Sequence, residues 1–213
     1  MILNSITYFY PEKPVLILKD TDAFQEMSDS PLYVAEPKYN GQRCELHLLD
    51  GQAEFWDRHG KHLTYNSNSL YDEGREKIVK EIVDRVGDKG YFVFDCELRH
   101  NKVQGIQNML VIYDIHVYKN EVLNKMVFGD RRALLESLGF SIYNGDTVHL
   151  IYQYKDDFET HFNSFIAGNY GDADEFEGLV MKRLDGKLKL GRASGSDSIW
   201  MFKVRKQTGR HRY

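Results

Sequence analysis

The chain has 213 residues, of which 42% are hydrophobic and 28% are charged, and its formal net charge is −4. This length supports one sizeable core but hardly two full domains, so we expect a single domain over residues 1–213. No run of 18 apolar residues occurs, which argues against a membrane span, and the negative net charge excludes coating of nucleic acid by bulk positive charge. Two cysteines and the lack of a signal-peptide pattern favour an intracellular, cytoplasmic location, whether the source is cellular or viral.

In chain order, short β-rich runs alternate with single helical patterns. Helices are predicted at 20–27, 72–86, 130–138 and 156–167, and strands at 32–36, 43–49, 53–58, 91–98, 109–118, 148–154, 178–183 and 198–205. The second helix repeats Ile78, Ile82 and Val86 at helical spacing. Asp50-Gly51, between the second and third strands, is a strong hairpin signal. The pattern predicts an α+β domain with mainly antiparallel sheets.

Familiar nucleotide and metal motifs are absent from this sequence. It contains neither GxGxxG nor GxxxxGK[ST], so we do not expect a glycine-rich loop to cradle phosphates, and it contains no HExxH zinc spacing. The candidates that remain are isolated charged residues at the ends of strands.

The first of these is Lys38, which follows Pro37 and precedes Gly41 in the stretch VAEPKYNGQR. Taken alone, Lys38 is most simply a surface lysine in a loop, since proline and glycine punctuate any loop. A nucleophilic lysine would need burial or nearby cations, because an ordinary lysine is almost entirely protonated at neutral pH.

Other strands carry charges of both signs. YFVFDCEL places Asp95 and Glu97 on one face of a strand, EFEGLVMK begins with acids and ends at Lys182, and SIWMFKVRK places Lys203 and Arg205 on one face. Taken one at a time, each of these charged groups could simply keep an edge strand soluble. Together they describe a site for a metal ion and a polyphosphate.

These segments resemble the covalent nucleotidyltransferase superfamily, which comprises ATP-dependent DNA ligases, RNA ligases and mRNA capping enzymes. The family's motifs are matched in order by KYNGQR, DRHG, DCE, VIYDI, EGLVMK and WMFKVR. EPKYNGQR, DRRALLESLG and KRLDGKLKL look most like a DNA ligase. The resemblance implies an α+β nucleotidyltransferase domain of the ATP-grasp-like ligase type, with antiparallel sheets flanked by helices.

The resemblance also implies a role for each matched residue. Lys38 would attack the α-phosphorus of ATP and hold AMP. Tyr113 would stack on adenine, unless it is a plain core tyrosine, and Glu36 would read the adenine amino group. Binding of ATP is expected from Glu36, Arg43, Glu97, Tyr113, Glu177, Lys182, Lys203 and Arg205. Mg²⁺ is expected at Glu97 and Glu177, and nucleic acid at Arg58, Lys206, Arg210 and Arg212.

The sequence departs from the family pattern at three points. Asn40 replaces the usual Asp, and we expect it to serve turn geometry because Asn and Asp share turn preferences. Arg205 replaces a lysine. The chain ends ten residues after Lys203, so we expect no OB-fold domain and a basic tail over residues 203–213 that helps to hold the substrate.

The expected partner is a nicked duplex of DNA, or of RNA, with the protein acting as a monomer away from membranes. A separate OB-fold or clamp-like protein is a further candidate partner. The alternatives to a DNA ligase are an RNA ligase, a capping-type enzyme, and a catalytically silent relative that binds nucleotide or protein.

Overall fold

Two β-sheets form the centre of the protein. The computed structural model describes residues 8, 10–63, 73–99, 103–142, 147–190 and 196–206. The strands are β1 Lys13–Leu16, β2 Tyr33–Tyr39, β3 Gln42–Leu49, β4 Gln52–Asp57, β5 Tyr91–Arg99, β6 Met109–Tyr118, β7 Glu121–Val122, β8 Val148–Leu150, β9 Phe176–Arg183 and β10 Asp197–Arg205.

The smaller sheet has four strands in the order β1-β10-β9-β2. The larger has six, in the order β4-β3-β5-β6-β7, with β8 paired to β6. Most pairs are antiparallel, as predicted, but β1 pairs with β10 and β8 pairs with β6 in parallel. The β3–β4 hairpin turns at Asp50 and Gly51, which confirms the hairpin signal.

The helices are α1 Asp22–Asp29, α2 Glu73–Val86, α3 Phe128–Ser137 and α4 Phe158–Ala167, and a 3₁₀ turn spans Ala173–Glu175. Ile78 and Ile82 of α2 pack with Phe92 and Phe94 on one face of the larger sheet. A second core joins α4 to one face of the smaller sheet through residues such as Phe158 and Leu179. Each sheet therefore buries one apolar face against helices.

Sequence patterning was less accurate at the short elements. The strand predicted over residues 148–154 stops at Leu150, and only an isolated bridge between Ala35 and Tyr154 continues it. Strands β1 and β7 were not predicted. None of the helices in the described ranges is long and apolar enough to span a membrane.

Three irregularities in strand pairing change where side chains point. On β9, Lys38 faces Gly178 whereas Tyr39 faces Phe176, so Glu177 is an extra residue in a bulge. On β6, the pairing with β5 skips Tyr113 and His116 in the same way. Because a bulge re-aims side chains and is common beside active sites, these three residues mark the region of interest.

Candidate active site

Charged side chains collect on the polar face of the smaller sheet. Lys38 lies opposite Gly178, which in turn lies opposite Arg205, and Glu36 lies opposite Val180, which lies opposite Lys203. Residues directly opposite each other, and residues two apart on a strand, share a face of the sheet. Lys38 on β2 and both Lys203 and Arg205 on β10 therefore point to the same side, although these two strands are far apart in the chain.

Glu177 bridges two of these cations. Its Oε2 accepts a hydrogen bond from Lys38 Nζ and lies 3.2 Å from Arg205 Nη2. The Lys38 side chain is 18% exposed, so solvent reaches it only in part. The bulge on β9 makes this contact possible, since strict alternation would direct Glu177 to the opposite face from Gly178.

Lys203 completes the cationic cluster. Burial, together with the positive charges of Arg205 and Lys38, lowers the pKa of Lys203. In the part of the chain that the structure describes, no carboxylate lies within ion-pair distance of its amine. Such a cluster favours an anion, and a triphosphate is a suitable one.

Glu36 lies in a second, more deeply buried pair. Its Oε2 is 2.7 Å from Lys182 Nζ, and its Oε1 accepts a hydrogen bond of 2.8 Å from Gln153 Nε2. Lys182 also donates to the backbone oxygen of Tyr113 at 3.3 Å, and its amine lies 5.5 Å from the centroid of the Tyr113 ring. These contacts join the smaller sheet to β6 of the larger one.

The larger sheet supplies the opposing polar face. Arg43 makes a two-pronged contact with buried Asp95, with Nε–Oδ1 at 2.8 Å and Nη2–Oδ2 at 2.7 Å. Burial raises the pKa of Asp95, but the Arg43 charge and hydrogen bond outweigh it and lower the pKa overall. The Tyr113 hydroxyl donates to Glu97 Oε2 at 3.2 Å, and burial with the nearby Glu97 charge raises the Tyr113 pKa well above its ordinary value.

A buried polar network supports this face from one side. His116 Nδ1 donates to Glu45 Oε1 at 3.1 Å, and His47 Nε2 donates to the other Glu45 oxygen at 3.2 Å. Next to it, fully buried Arg131 makes a two-pronged contact with Asp114, both bonds being 2.8 Å. Buried charges of this kind need paired partners, so the network fixes the strands that carry Arg43 and Tyr113.

The turn that follows Lys38, between β2 and β3, is held from several directions. Asn40 donates its backbone N–H to Glu175 O at 2.8 Å and its side-chain amide to Asp174 O at 3.1 Å. A Cβ at Gly41 would lie 2.5 Å from Glu97 Cγ, so this position requires glycine. We expected Asn40 to serve turn geometry, in which Asn and Asp are equivalent. The structure adds a difference, because an Asp carboxylate could not donate to Asp174 O.

The structure thus brings together nine of the residues singled out in the sequence, namely Lys38, Glu36, Arg43, Glu97, Tyr113, Glu177, Lys182, Lys203 and Arg205. The nucleic-acid candidates lie elsewhere. Arg58 is an exposed residue beyond β4, and no contact among the described residues joins it to the cluster. Lys206 bonds to Glu177 O through its backbone N–H at 2.8 Å, which places it beside the site. Arg210 and Arg212 lie outside the described residues.

Sequence reasoning missed Gln153, whose partner Glu36 is 117 positions away. Asp95 was noticed, but its partnership with Arg43 was not. A lone glutamine after a short strand carries no local signal, whereas the alternation DCE already places Asp95 on the face of Glu97.

The acids present suit a magnesium ion only with help from a ligand. Within the described residues, no group of three or more His, Cys, Asp and Glu side chains could hold a metal ion. Mg²⁺ is usually held by one or two carboxylates together with substrate phosphates. Glu177 and Glu97 can supply those carboxylates, so the donor set fits a nucleotide-bound magnesium ion rather than a metal cage built by the protein.

Comparison with known proteins gives a match in structure alone. No protein-family model and no curated protein matches the sequence. Over 92% of this chain, the fold is similar to the ligase domain of M. tuberculosis LigD, with a TM-score of 0.63 and 16% identity, covering 59% of that structure. A mycobacterial DNA ligase D complexed with ATP and MES gives a TM-score of 0.58 at 15% identity, and 60% of that chain is covered.

An archaeal ATP-dependent RNA ligase is also similar, with a TM-score of 0.54, 17% identity, and coverage of 91% of this chain and 47% of that one. The chain therefore spans about half to three fifths of the length of these solved ligases. The protein has the α+β fold of the nucleotidyltransferase domains of ATP-dependent polynucleotide ligases.

Proposed function

We propose that this protein is an ATP-dependent polynucleotide ligase that carries AMP on Lys38 and joins a 5′-phosphate to a 3′-hydroxyl at a nick, with nicked duplex DNA as its substrate. The observation that carries this proposal is the position of Lys38. It is a partly buried amine beside the cations Lys203 and Arg205, and the Glu177 bulge supplies its carboxylate partner.

The first step begins with the Lys38–Glu177 contact, which must open because a protonated amine cannot attack. Once Lys38, which is partly exposed, has given up a proton to solvent, its Nζ forms a bond to the α-phosphorus of ATP, the bond from that phosphorus to the pyrophosphate oxygen breaks, and pyrophosphate leaves. Lys203 and Arg205 offset the negative charge that develops, so catalysis is mainly positioning and electrostatic stabilisation. Glu177 and Glu97 would hold Mg²⁺, which would supply further charge neutralisation.

Two transfers complete the reaction. The 5′-phosphate oxygen of the nick takes AMP from Lys38, and the 3′-hydroxyl then attacks that 5′-phosphorus and releases AMP. Tyr113 would stack on adenine, and Arg43, fixed by Asp95, would contact the ribose or the nucleic-acid end. Arg58, Lys206, Arg210 and Arg212 would contact the phosphates of the duplex.

The preference for DNA rests on the motif resemblance, since both DNA and RNA ligases are among the structural neighbours. A chase experiment tests it. The protein is labelled with α-labelled ATP, freed of ATP, and offered nicked duplexes whose strands at the nick are both DNA or both RNA. Matched duplexes with a 5′-hydroxyl serve as controls.

We expect label to move to the 5′-phosphorylated DNA nick and sealed DNA to follow. Transfer to RNA nicks alone would replace the DNA assignment with an RNA ligase. Adduct formation with GTP in preference to ATP would favour a capping-type enzyme. The lack of any adduct would favour a catalytically silent relative that only binds nucleotide or protein.

A further inference from the structure

Gln153 occupies a position next to the proposed nucleotide site that no motif predicted. It lies in the segment after β8, which is anchored to β2 by two backbone hydrogen bonds between Ala35 and Tyr154, of 2.9 and 2.8 Å. Its side chain is half-buried, and its Nε2 donates to Glu36 Oε1 at 2.8 Å. The other Glu36 oxygen is 2.7 Å from Lys182 Nζ.

This arrangement fixes which way the Gln153 amide faces. Glu36, as the ion-pair partner of Lys182, is a carboxylate and can only accept hydrogen bonds. The amide nitrogen must therefore face Glu36, since a flipped amide would place oxygen against oxygen. Among the described residues, the Gln153 carbonyl oxygen and second N–H have no other partner, so an acceptor beside a donor is left for a ligand.

We propose that Gln153 selects adenine over guanine in the nucleotide that this site binds, an inference that rests on the proposed function. Adenine presents its amino donor next to a ring-nitrogen acceptor, which complements the Gln153 acceptor and donor in a two-bond contact. Guanine presents an oxygen acceptor in place of that amino group. With the amide held by Glu36, the guanine oxygen would meet the Gln153 oxygen.

The link to the base-binding region runs through Lys182. The same amine that holds Glu36 donates to Tyr113 O and lies 5.5 Å from the centre of the Tyr113 ring. If that ring stacks on the base, the Glu36–Gln153 pair lies beside the edge of the stacked base. Glu36 is then a positioning residue for Gln153, and Gln153 makes the base contact.

The test measures binding of AMP and GMP by titration calorimetry, which does not depend on covalent chemistry. Wild type should prefer AMP. Gln153→Met keeps the length of the side chain but removes both hydrogen-bonding groups, and it should reduce the AMP-to-GMP affinity ratio by about tenfold or more. Gln153→Ala serves as a second variant, and Gln25→Met, at an exposed glutamine of α1, is the matched control that should leave the ratio unchanged.

If Gln153 had only a structural role, its replacement would weaken the binding of AMP and of GMP equally. An unchanged ratio in Gln153→Met and Gln153→Ala therefore overturns the proposal, as does wild-type protein that binds neither mononucleotide. If the ratio falls as expected while ATP forms no adduct at Lys38, the selectivity proposal stands and only the proposed function fails.

Discussion

At the scale of single residues, the cations and acids of the site are largely paired with each other. Lys38 and Arg205 share Glu177, Lys182 holds Glu36, and the hydrogen bond from Tyr113 reaches Glu97. A nucleotide therefore has to exchange contacts rather than fill an open set of charges. We expect its phosphates to take the cations while a metal ion takes the acids, which frees the Lys38 amine.

Asn40→Asp tests whether the turn needs the amide donor. Asp has the same shape and turn preferences, but it cannot donate to Asp174 O, so the variant should lose about 1 kcal/mol of unfolding free energy. Adduct formation with ATP should slow by less than about tenfold, because the backbone bond from Asn40 to Glu175 remains. Urea unfolding and adduct time courses measure the two effects.

The matched control is Asn124→Asp, at an exposed asparagine away from the site. A stability loss in Asn124→Asp equal to that in Asn40→Asp would show that added charge, rather than the lost donor, is the cause. A rate loss far above tenfold would refute the view that Asn40 acts through turn geometry.

At the scale of elements, bulges determine which residues reach the site. A strand with strict alternation would turn Glu177 away from Lys38, and the extra residue on β9 reverses this. Gly178 makes the bulge possible, with φ of 142° and a would-be Cβ only 2.0 Å from Val204 O. The proposed nucleophile, its partner acid and this glycine thus form one structural unit.

Gly178→Ala should therefore be severely destabilising, by roughly 3 kcal/mol or more, because backbone strain adds to a clash with the neighbouring strand. Gly87→Ala is the control, since Gly87 also has a positive φ, of 87°, but no atom lies within 4 Å of its would-be Cβ. That variant should lose only about 1–2 kcal/mol. Chemical denaturation of both variants checks the contrast, and equal losses would show that the contact with β10 is unimportant.

The buried histidine network predicts a pH dependence of stability. Burial lowers the pKa of His116, but the hydrogen bond to Glu45 and the charges of Glu45, Asp95 and Asp114 outweigh it and raise the pKa above its ordinary 6.5. A raised folded-state pKa stabilises the protein fully below pH 6.5, and this contribution is lost as the pH rises through the folded value.

The unfolding free energy of wild type should thus decline between pH 6.5 and 9 by on the order of 1 kcal/mol more than that of His116→Gln. His59→Gln, at an exposed histidine, should follow the wild-type curve. Parallel curves for wild type and His116→Gln would show that His116 does not carry this charge.

At the scale of the whole molecule, two sheets present polar faces to each other and bury their other faces against helices. Lys182 spans the gap by contacting Glu36 on one sheet and Tyr113 on the other. The chain covers 59% of the LigD ligase domain that it resembles in fold. From the proposed function, we expect AMP-adduct formation to need only the cluster around Lys38, and sealing to depend strongly on how the duplex is held.

The basic tail, residues 203–213, should contribute to binding of the duplex. Truncation after Lys206 removes Arg210 and Arg212, and it should reduce sealing of nicked DNA more than adduct formation, because phosphate contacts dominate affinity for nucleic acid. Both activities are followed from about 20 to 200 mM salt, and sealing should fall steeply over this range. Sealing that is independent of salt, or unaffected by the truncation, would show that the tail is only a solvated end.

Short motifs predicted much of this fold and singled out most of the candidate site residues, because these residues lie in or beside apolar strands whose period is easy to recognise. Lys38, Glu177 and Lys203 were singled out in this way, and the structure places them in one cluster. The pairs Gln153–Glu36 and Arg43–Asp95 were not, since 117 and 52 positions separate their members and only the sheet topology brings them together. Strand β1 was missed because its four residues carry little periodicity.

The most direct test of the account is the identity of the labelled residue after incubation with α-labelled ATP and magnesium. On a denaturing gel, wild-type protein should carry an acid-labile AMP adduct, Lys38→Ala should carry none, and Lys61→Ala, at an exposed lysine, should be labelled like wild type. Peptide mapping should place AMP on Lys38. Persistent labelling of Lys38→Ala, or an adduct mapped to another lysine, would contradict the assignment of Lys38 as the nucleophile.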